Sequence, residues 1–167
     1  VTIEDPIEFD LENINQAQVN TKSGVTFASA LRSILRQDPD IIMVGEIRDD
    51  ETVELAIRAA LTGHLVFSTI HTNDAASGFA RLLNWEIEPF LIASTVKGIL
   101  AQRLVRRICE NCKIEHEITD RESTLLKIDK KKYAKTFTGK GCLSCRNSGY
   151  RGRVGLYELL KVDEKVS

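Results

Sequence analysis

The sequence lacks both a long apolar run and a surplus of charge of one sign. Its 167 residues carry 23 basic and 24 acidic side chains, a net charge of −1. A near-neutral chain has no strong overall field for nucleic acid or a membrane surface. The longest apolar stretch, 90–104, is interrupted by Lys97, Gln102 and Arg103 and is too short to span a bilayer. These absences predict a globular cytoplasmic protein.

The sequence also lacks a methionine or a leader segment at its start, and its cysteines are not arranged as in a typical disulfide-bonded protein. The chain opens with Val1, its one methionine is Met43, and no apolar leader segment opens it. We therefore expect a piece of a longer protein. Four cysteines in two pairs are, in the cytoplasm, more typical of metal ligands than of disulfides.

Apolar runs and amphipathic segments alternate through the first two thirds of the chain. We expect strands at 1–3, 41–44 and 64–70, helices at 27–35, 51–61, 74–83 and 89–101, and loop with short β-structure over 9–25. Alternation of this kind forms right-handed βαβ units, so we predict an α/β fold with a mostly parallel sheet. The uniformly apolar run 41–44 predicts a strand buried on both faces.

Polar residues stand directly after each predicted strand. Glu4 and Asp5 follow the first, Glu46 the second and His71 the third. Ligands bind at the carboxyl ends of strands in such sheets, and carboxylates there hold Mg²⁺ or orient water in phosphoryl transfer. Each residue also has an ordinary alternative: a charge that keeps a strand end soluble, a solvated acidic turn, or a structural histidine.

Two histidines bracket the third strand. His64 and His71 each stand beside small polar residues and are seven positions apart. An odd separation places their side chains on opposite faces of an ideal strand. We expect one to face the site and the other a helix or a neighbouring subunit.

Together these segments resemble the ATPases that drive type II secretion and type IV pilus assembly. The matching stretches, in order, are TIEDPIE at 2–8 (the acidic Asp box), LRSILRQDPD at 31–40 running through IIMVGE and IRD to 49 (the Walker B region), TGHLVFSTIHTN at 62–73 (the His box), and GYRGR and YELL at 149–153 and 157–160. The resemblance covers nearly the whole chain.

The resemblance implies a RecA-like core that works in a ring, a homohexamer, with ATP between neighbouring subunits. It implies that Glu46 acts at Mg²⁺, that Glu8 polarises the attacking water, and that the remaining candidates contribute to the nucleotide site: Glu4, Asp5, Arg48, His64 and His71. Arg48 alternatively holds Asp49 or a neighbouring helix. The implied partners are inner-membrane platform proteins and cytoplasmic-membrane anchor proteins, with the motor peripheral at the inner membrane.

The chain has no G-x-x-x-x-G-K-[S/T] motif. A P-loop of that form supplies most of the grip on phosphates, and in the resembled family it lies upstream of the acidic box. We therefore expect the parent protein to hydrolyse ATP and this chain alone to bind no ATP measurably.

Two C-x-x-C pairs, separated by 29 residues, contain all four cysteines: Cys109, Cys112, Cys142 and Cys145. Four thiolates at this spacing predict a structural Zn²⁺ site, closed because no ligand position is left open; free thiols or disulfides are the alternative. The resemblance agrees, because secretion and pilus-extension members carry a tetracysteine element that retraction members typically lack. The lysines of 130–135 predict a solvated loop or, alternatively, a contact with an acidic partner or lipid headgroups.

We thus expect a partial RecA-like parallel-sheet core over 1–107, a small zinc-binding subdomain over 108–147 and a β-prone tail over 148–167 that packs back on the core. The rival is a zinc-ribbon module that binds nucleic acid or protein without hydrolysis. It leaves the acidic box, Glu46 and the His box unexplained, and it predicts a basic surplus that the net charge of −1 does not show. We therefore expect no nucleic-acid partner.

Overall fold

Four short strands form a parallel sheet in the computed structural model, which describes residues 1–129, 132 and 136–163. The strands are β1 (Thr2–Glu4), β2 (Gln16–Gln18), β3 (Ile41–Val44) and β4 (Leu65–Ser68), in the sheet order β2–β1–β3–β4. Each neighbouring pair is parallel. The predicted α/β fold with a parallel sheet is confirmed.

Three of the four helices that pack with this sheet begin at a side-chain cap. The helices are α1 (Phe27–Ile34), α2 (Asp50–Leu61), α3 (Ala75–Asn84) and α4 (Pro89–Thr95), and α4 begins at a proline instead. Thr26, Asp49 and Asp74 each accept a hydrogen bond from a backbone N–H of the first turn, which satisfies a donor that the helix itself leaves unpaired. The apolar stripes of α1 and α2 then meet one face of the strands in a single core: Ile3, Phe27, Leu31, Ile42, Val44, Val53 and Ile57.

The other face of β3 and β4 is only partly covered. Ile41, Leu65 and Phe67 are about half exposed, at 51%, 48% and 55%, so the prediction of a strand buried on both faces is wrong for β3. Ile41 pairs with Leu65 and Met43 with Phe67, and alternate residues of a strand share a face. These side chains therefore point away from the core formed with α1 and α2.

The helix expected over 89–101 ends at Thr95, and the chain continues as a strand. β5 (Gly98–Ile108) pairs with β8 (Tyr150–Lys161) in a two-stranded sheet. Val96 already has extended backbone angles, and Val162 N–H donates to the Lys97 carbonyl at 3.1 Å. Backbone hydrogen bonds from a distant segment thus replace those of a further helical turn.

The chain forms two compact units, and the division falls inside β5 and β8. The first comprises 1–101 with the chain from Glu158 onward, and the second comprises Gln102–Tyr157. In the second, β6 (Lys113–His116) and β7 (Thr136–Gly139) form an antiparallel pair beside the helix α5 (Asp120–Leu126). Of the 130–135 lysine loop, only Lys132 lies within the described residues. No helix of the described residues is long and apolar enough to cross a membrane.

We predict that Thr26→Ala lowers the free energy of unfolding by about 1 kcal/mol. Thr26 Oγ1 accepts from Ser29 N–H at 3.1 Å, and Ser29 Oγ accepts from Thr26 N–H at 2.8 Å, forming a capping box. Removing the threonine hydroxyl leaves a first-turn N–H without its protein partner. Denaturant unfolding followed by circular dichroism measures the loss.

Ser33→Ala is the matched control in the same helix, because the Ser33 hydroxyl donates to the Ser29 carbonyl four residues earlier. Such a bond adds nothing to the helix, and alanine is the better helix former. Equal losses in the two variants would contradict a capping role for Thr26.

Candidate functional site

The carboxyl ends of β1, β3 and β4 meet at one edge of the sheet. Gly45 follows β3, and its N–H donates to the Ile3 carbonyl at 2.8 Å. Thr69 Oγ1, just after β4, donates to the Gly45 carbonyl at 2.7 Å. A Cβ atom at residue 45 would lie 3.1 Å from the Ile3 carbonyl oxygen, so glycine permits the close approach of these strand ends.

Arg48 joins carboxylates from two of these strand ends. Its guanidinium lies 2.6 Å from Glu46 and 3.2 Å from Asp5, and it lies over the Phe27 ring at 5.9 Å from the centroid. Arg48 Nη2 thus binds Glu46, which follows β3, and Arg48 Nη1 binds Asp5, which follows β1. The alternative partner for Arg48, Asp49, instead caps α2 through Thr52 N–H.

His71 reaches the same cluster from the end of β4. Its Nε2 lies 3.6 Å from the second oxygen of Glu46, and its side chain is 91% exposed. The hydrogen bond from Arg48 lowers the pKa of Glu46, against an opposing effect of burial and with a smaller contribution from His71. Glu46 is therefore a fixed anion between two cationic or potentially cationic groups, at an edge open to solvent.

The other predicted site residues lie apart from this cluster. Glu4 accepts from Thr2 Oγ1 at 2.6 Å and from Gln16 Nε2 at 2.9 Å, and the hydrogen bond from Thr2 is the main reason its pKa is lowered. Glu8 is exposed and has no hydrogen bond or ion pair within the described part of the chain. The structure thus joins Asp5, Glu46, Arg48 and His71, while the Glu4 carboxylate binds Thr2 and Gln16 instead and Glu8 lies further along the acidic turn.

His64 lies at the opposite edge of the sheet from His71. Its Nδ1 is 2.9 Å from the Ala59 carbonyl and 3.1 Å from Thr62 Oγ1, where α2 turns into β4. Because β3 and β4 are parallel, the start of β4 and the end of β3 lie at different edges. His64 therefore has a local structural role in the turn, and the predicted contact of His64 with the nucleotide site gains no support.

Two residues that shape this edge of the sheet, Gln16 and Ser68, were not among the site residues predicted from the sequence. Gln16 of β2 binds Glu4 and also donates to the Phe9 carbonyl at 3.1 Å, while Ser68 Oγ donates to the Val44 carbonyl at 2.8 Å. The pair Ser68-Thr69 at the end of a predicted strand could have indicated these hydrogen bonds, because hydroxyls often donate to the carbonyls of a neighbouring strand end. Nothing in the polar segment 9–25 distinguished Gln16.

A cavity of about 460 Å³ opens beside Asp5. It is lined by that residue and by the end of β2 with the turn after it: Gln18, Val19, Asn20, Thr21 and Lys22. Its volume lies in the range of small-molecule pockets. The acidic turn therefore has free space on the side away from β3.

In the second unit the four cysteine sulfurs lie within 4.8 Å of one another. Cys109 Sγ is 3.8 Å from Cys142 Sγ, and Cys112 Sγ is 3.9 Å from Cys145 Sγ. A tetrahedral Zn²⁺ with Zn–S bonds of about 2.3 Å requires sulfurs about 3.8 Å apart. The geometry of the two pairs is consistent with zinc.

Backbone donors surround one of these sulfurs. Although burial opposes ionisation, N–H bonds from Cys142 and Gly149 at 3.2 and 3.3 Å lower the pKa of Cys145 to about 6. Burial raises the pKa of Cys112 to about 12. One thiolate is thus favoured within the cluster, and further ionisation requires a cation beside it.

Comparison with known proteins decides the family. The sequence model described as type II/IV secretion system protein matches residues 1–167. The chain belongs to this family. It is 52% identical over 166 residues to the type II secretion system ATPase E of Vibrio cholerae, covering 99% of the chain and 33% of that protein. It is also 52% identical over 167 residues to the type IV pilus assembly ATPase PilB of Thermus thermophilus, covering 99% of the chain and 19% of that protein.

Solved structures of a pilus retraction motor and of a further ATPase share the fold. The pilus retraction motor PilT with bound ADP superimposes with a TM-score of 0.65 at 35% identity, covering 99% of this chain and 39% of PilT. The ATPase DotB of Legionella pneumophila gives 0.64 at 29%, covering 99% and 37%. The chain spans about a third of the length of the type II relatives that it matches.

We predict that Arg48→Ala raises the pKa of Glu46 toward its ordinary value. The guanidinium hydrogen bond favours the carboxylate form, so its removal favours protonation. Between the lowered pKa of the unaltered protein and the raised pKa of the variant, Glu46 would carry a proton only in the variant. A carboxyl carbon NMR titration measures the shift.

Arg58→Ala is the control, because Arg58 pairs with Glu54 on α2 and not with the cluster. The Glu46 titration should be unchanged in that variant. An unaltered Glu46 pKa in Arg48→Ala would show that the ion pair is absent in solution.

Proposed function

We propose that this chain is the C-terminal part of a hexameric ATPase that powers type II secretion or type IV pilus assembly, and that it holds half of the ATP site. The observation that carries the proposal is the meeting of Asp5, Glu46 and His71 around Arg48 at the carboxyl edge of a parallel sheet. Parallel α/β sheets bind ligands at this edge. The family match over residues 1–167 supports the same proposal.

Each polar group of the proposed site has a role that its chemistry supports. Glu46 and Asp5 offer carboxylate oxygens, the ligands that Mg²⁺ takes together with phosphates and water. Mg²⁺, when bound, would offset phosphate charge. Arg48 holds the two carboxylates in place, and exposed His71 faces the side from which a phosphate would approach. We propose Glu8, free on the turn, as the residue that polarises the attacking water, with Glu4 supporting the turn through Thr2 and Gln16.

Phosphate binding needs a partner segment. The 167 residues contain no P-loop, and the backbone N–H groups of such a loop supply most of the phosphate contacts in these enzymes. We therefore propose that this chain alone neither binds nor hydrolyses ATP measurably, and that activity belongs to the longer protein.

The proposed setting is cytoplasmic and peripheral to the inner membrane. The partners we propose are other copies of the same protein, an inner-membrane platform protein and a membrane anchor protein. The names of the relatives, which belong to both secretion and pilus machines, support this class of partner. We further propose that Zn²⁺ holds the second unit together as a closed structural site.

One observation favours the rival function. The second unit contains fourteen Lys and Arg against six Asp and Glu, so the basic surplus that a nucleic-acid module requires is present there although the whole chain is near neutral. A gel-shift series against duplex DNA distinguishes the two functions, since phosphate contacts give a steep dependence on salt. Binding that is weak and without such a slope favours the motor.

We predict that Glu8→Gln and Glu46→Gln each lower kcat of the full-length ATPase by about 10²–10⁴-fold, the range for loss of a group that assists proton transfer or charge stabilisation. The KM for ATP should change less in Glu8→Gln than in Glu46→Gln, because a residue acting on water does not hold the ground-state nucleotide. Steady-state phosphate release measures both constants.

Glu54→Gln is the matched control, since Glu54 is an exposed carboxylate of α2 that pairs with Arg58. Its kcat should equal that of the unaltered enzyme. Full activity in Glu46→Gln would refute the proposed site, and micromolar ATP affinity of the 167-residue chain by calorimetry would refute the need for a P-loop segment.

We predict about one zinc ion per chain after purification without chelators, and loss of that ion in Cys142→Ser. Removing one thiolate takes a ligand from a four-sulfur set whose sulfurs are already at tetrahedral spacing. Acid should release the metal, because protons compete for the thiolates. Elemental analysis and a chelator titration measure both effects.

Ser144→Ala provides the control within the same knuckle, because it removes the hydroxyl that binds Asn111 and no sulfur. It should retain its zinc. A metal-free protein that is fully folded would overturn the structural site.

A further inference from the structure

The loop between β1 and β2 carries Glu8 and has little apolar packing to hold it. Residues 8–14 are all exposed, and their large apolar side chains face solvent: Phe9 is 74% exposed, Leu11 46% and Ile14 41%. A loop of unpacked residues keeps one conformation only where other contacts offset the entropy lost in ordering it. The position of Glu8 therefore depends on the groups that bind the loop backbone.

Two glutamines of β2 bind that backbone. Gln16 Nε2 donates to the Phe9 carbonyl at 3.1 Å, and Gln16 Oε1 accepts from Leu11 N–H at 2.7 Å. Gln18 Oε1 accepts from Ile7 N–H at 3.2 Å. The two glutamines are alternate residues of one strand, so their side chains share a face of β2. The loop is thus fastened to β2 by these hydrogen bonds.

Gln16 also joins the loop to Glu4. It pairs with Thr2 across the parallel strands, Glu4 lies on the same face of β1 as Thr2, and Gln16 Nε2 donates to the Glu4 carboxylate at 2.9 Å. A flipped amide would set its oxygen against the Glu4 carboxylate and the Phe9 carbonyl, and its nitrogen against Leu11 N–H. All of these hydrogen bonds would be lost, so the amide has one satisfied orientation.

We propose that Gln16 is a positioning residue of the ATPase, which couples the Glu4 carboxylate to the loop and holds that loop where Glu8 meets the attacking water. The proposal rests on the role of Glu8 proposed above. A group displaced by about 1 Å from its productive geometry costs on the order of 10²-fold in rate. An exposed loop without this link would therefore carry a poorly placed Glu8.

Glutamate at position 16 removes the link without changing the shape of the side chain. One carboxylate oxygen still accepts from Leu11 N–H, whereas the other replaces a donor with an acceptor. That oxygen faces the Glu4 carboxylate and the Phe9 carbonyl, and both contacts become repulsive. Gln16→Glu therefore tests the donor function of the amide specifically.

The test is steady-state phosphate release by the full-length ATPase carrying Gln16→Glu. We expect kcat to fall by about 10²-fold with little change in the KM for ATP, because Glu8 does not hold the ground-state nucleotide. Relative to the unaltered enzyme, kcat should recover as the pH falls, since a proton shared between position 16 and Glu4 restores a donor. Gln16→Ala, which gains no proton, should lose activity without that recovery.

Adding Gln16→Glu to Glu8→Gln separates a positioning role from an independent one. If Gln16 acts through Glu8, the double variant should have the kcat of Glu8→Gln alone, because the carboxylate to be positioned is already absent. Losses that multiply would overturn the proposal, as would an unaltered kcat in Gln16→Glu. Full activity in Glu8→Gln would instead refute the proposed role of Glu8, so the two failures are distinguishable.

Gln37→Glu is the matched control, because it makes the same chemical change at an exposed residue before β3. Within the described residues Gln37 makes no hydrogen bond with the loop, so its kcat should equal that of the unaltered enzyme, and an equal loss there would contradict the proposal. If Gln16→Glu does not fold, NMR order parameters of the unaltered 167-residue chain decide the outcome. Values of about 0.85 over 7–14 would support a held loop, and values below about 0.6 would refute it.

Discussion

The parallel pairing of β1, β3 and β4 is the constraint on which the candidate nucleotide site depends. Ile3, Ile42 and Val44 are fully buried against α1 and α2, and their burial sets which residues of each strand face inward. A shift of one residue in any strand would turn those side chains out of the core. Because the register is held, the residues after each strand arrive at the same edge, and Arg48 can reach carboxylates that are 41 positions apart in the sequence.

The second unit has almost no apolar core among its described residues. Among its described residues only Cys109, Ile118, Cys145 and Gly149 are buried. Units of this size seldom bury enough apolar surface to fold unaided and use metals or disulfides instead. Close backbone contacts tighten the same region, since a Cβ atom at Gly139 would lie 2.0 Å from the Gly149 carbonyl oxygen. Two cysteines of the four-sulfur cluster are thus among the few buried residues in the described part of this unit.

The opposite net charges of the two units explain why the net charge of the whole chain is close to zero. The charges of the acidic first unit and the basic second unit nearly cancel, so the net charge of −1 describes neither. This division favours anionic contacts at the second unit and cationic contacts at the first. Electrostatic orientation of this kind acts over about a Debye length, roughly 8 Å at physiological salt.

The sequence by itself determined the α/β class, the strands β1, β3 and β4, the four cysteines at metal-ligand spacing and the family, because these follow from local periodicity, fixed spacing and ordered motifs. Only the tertiary structure decided that Arg48 bridges Asp5 and Glu46, that Glu4 is held by Gln16, and that His64 lies at the far edge from His71. It also turned 98–101 from the expected helix into a strand, through hydrogen bonds with a segment more than 50 residues away. Contacts between distant residues depend on how elements pack, and a local pattern carries no record of that packing.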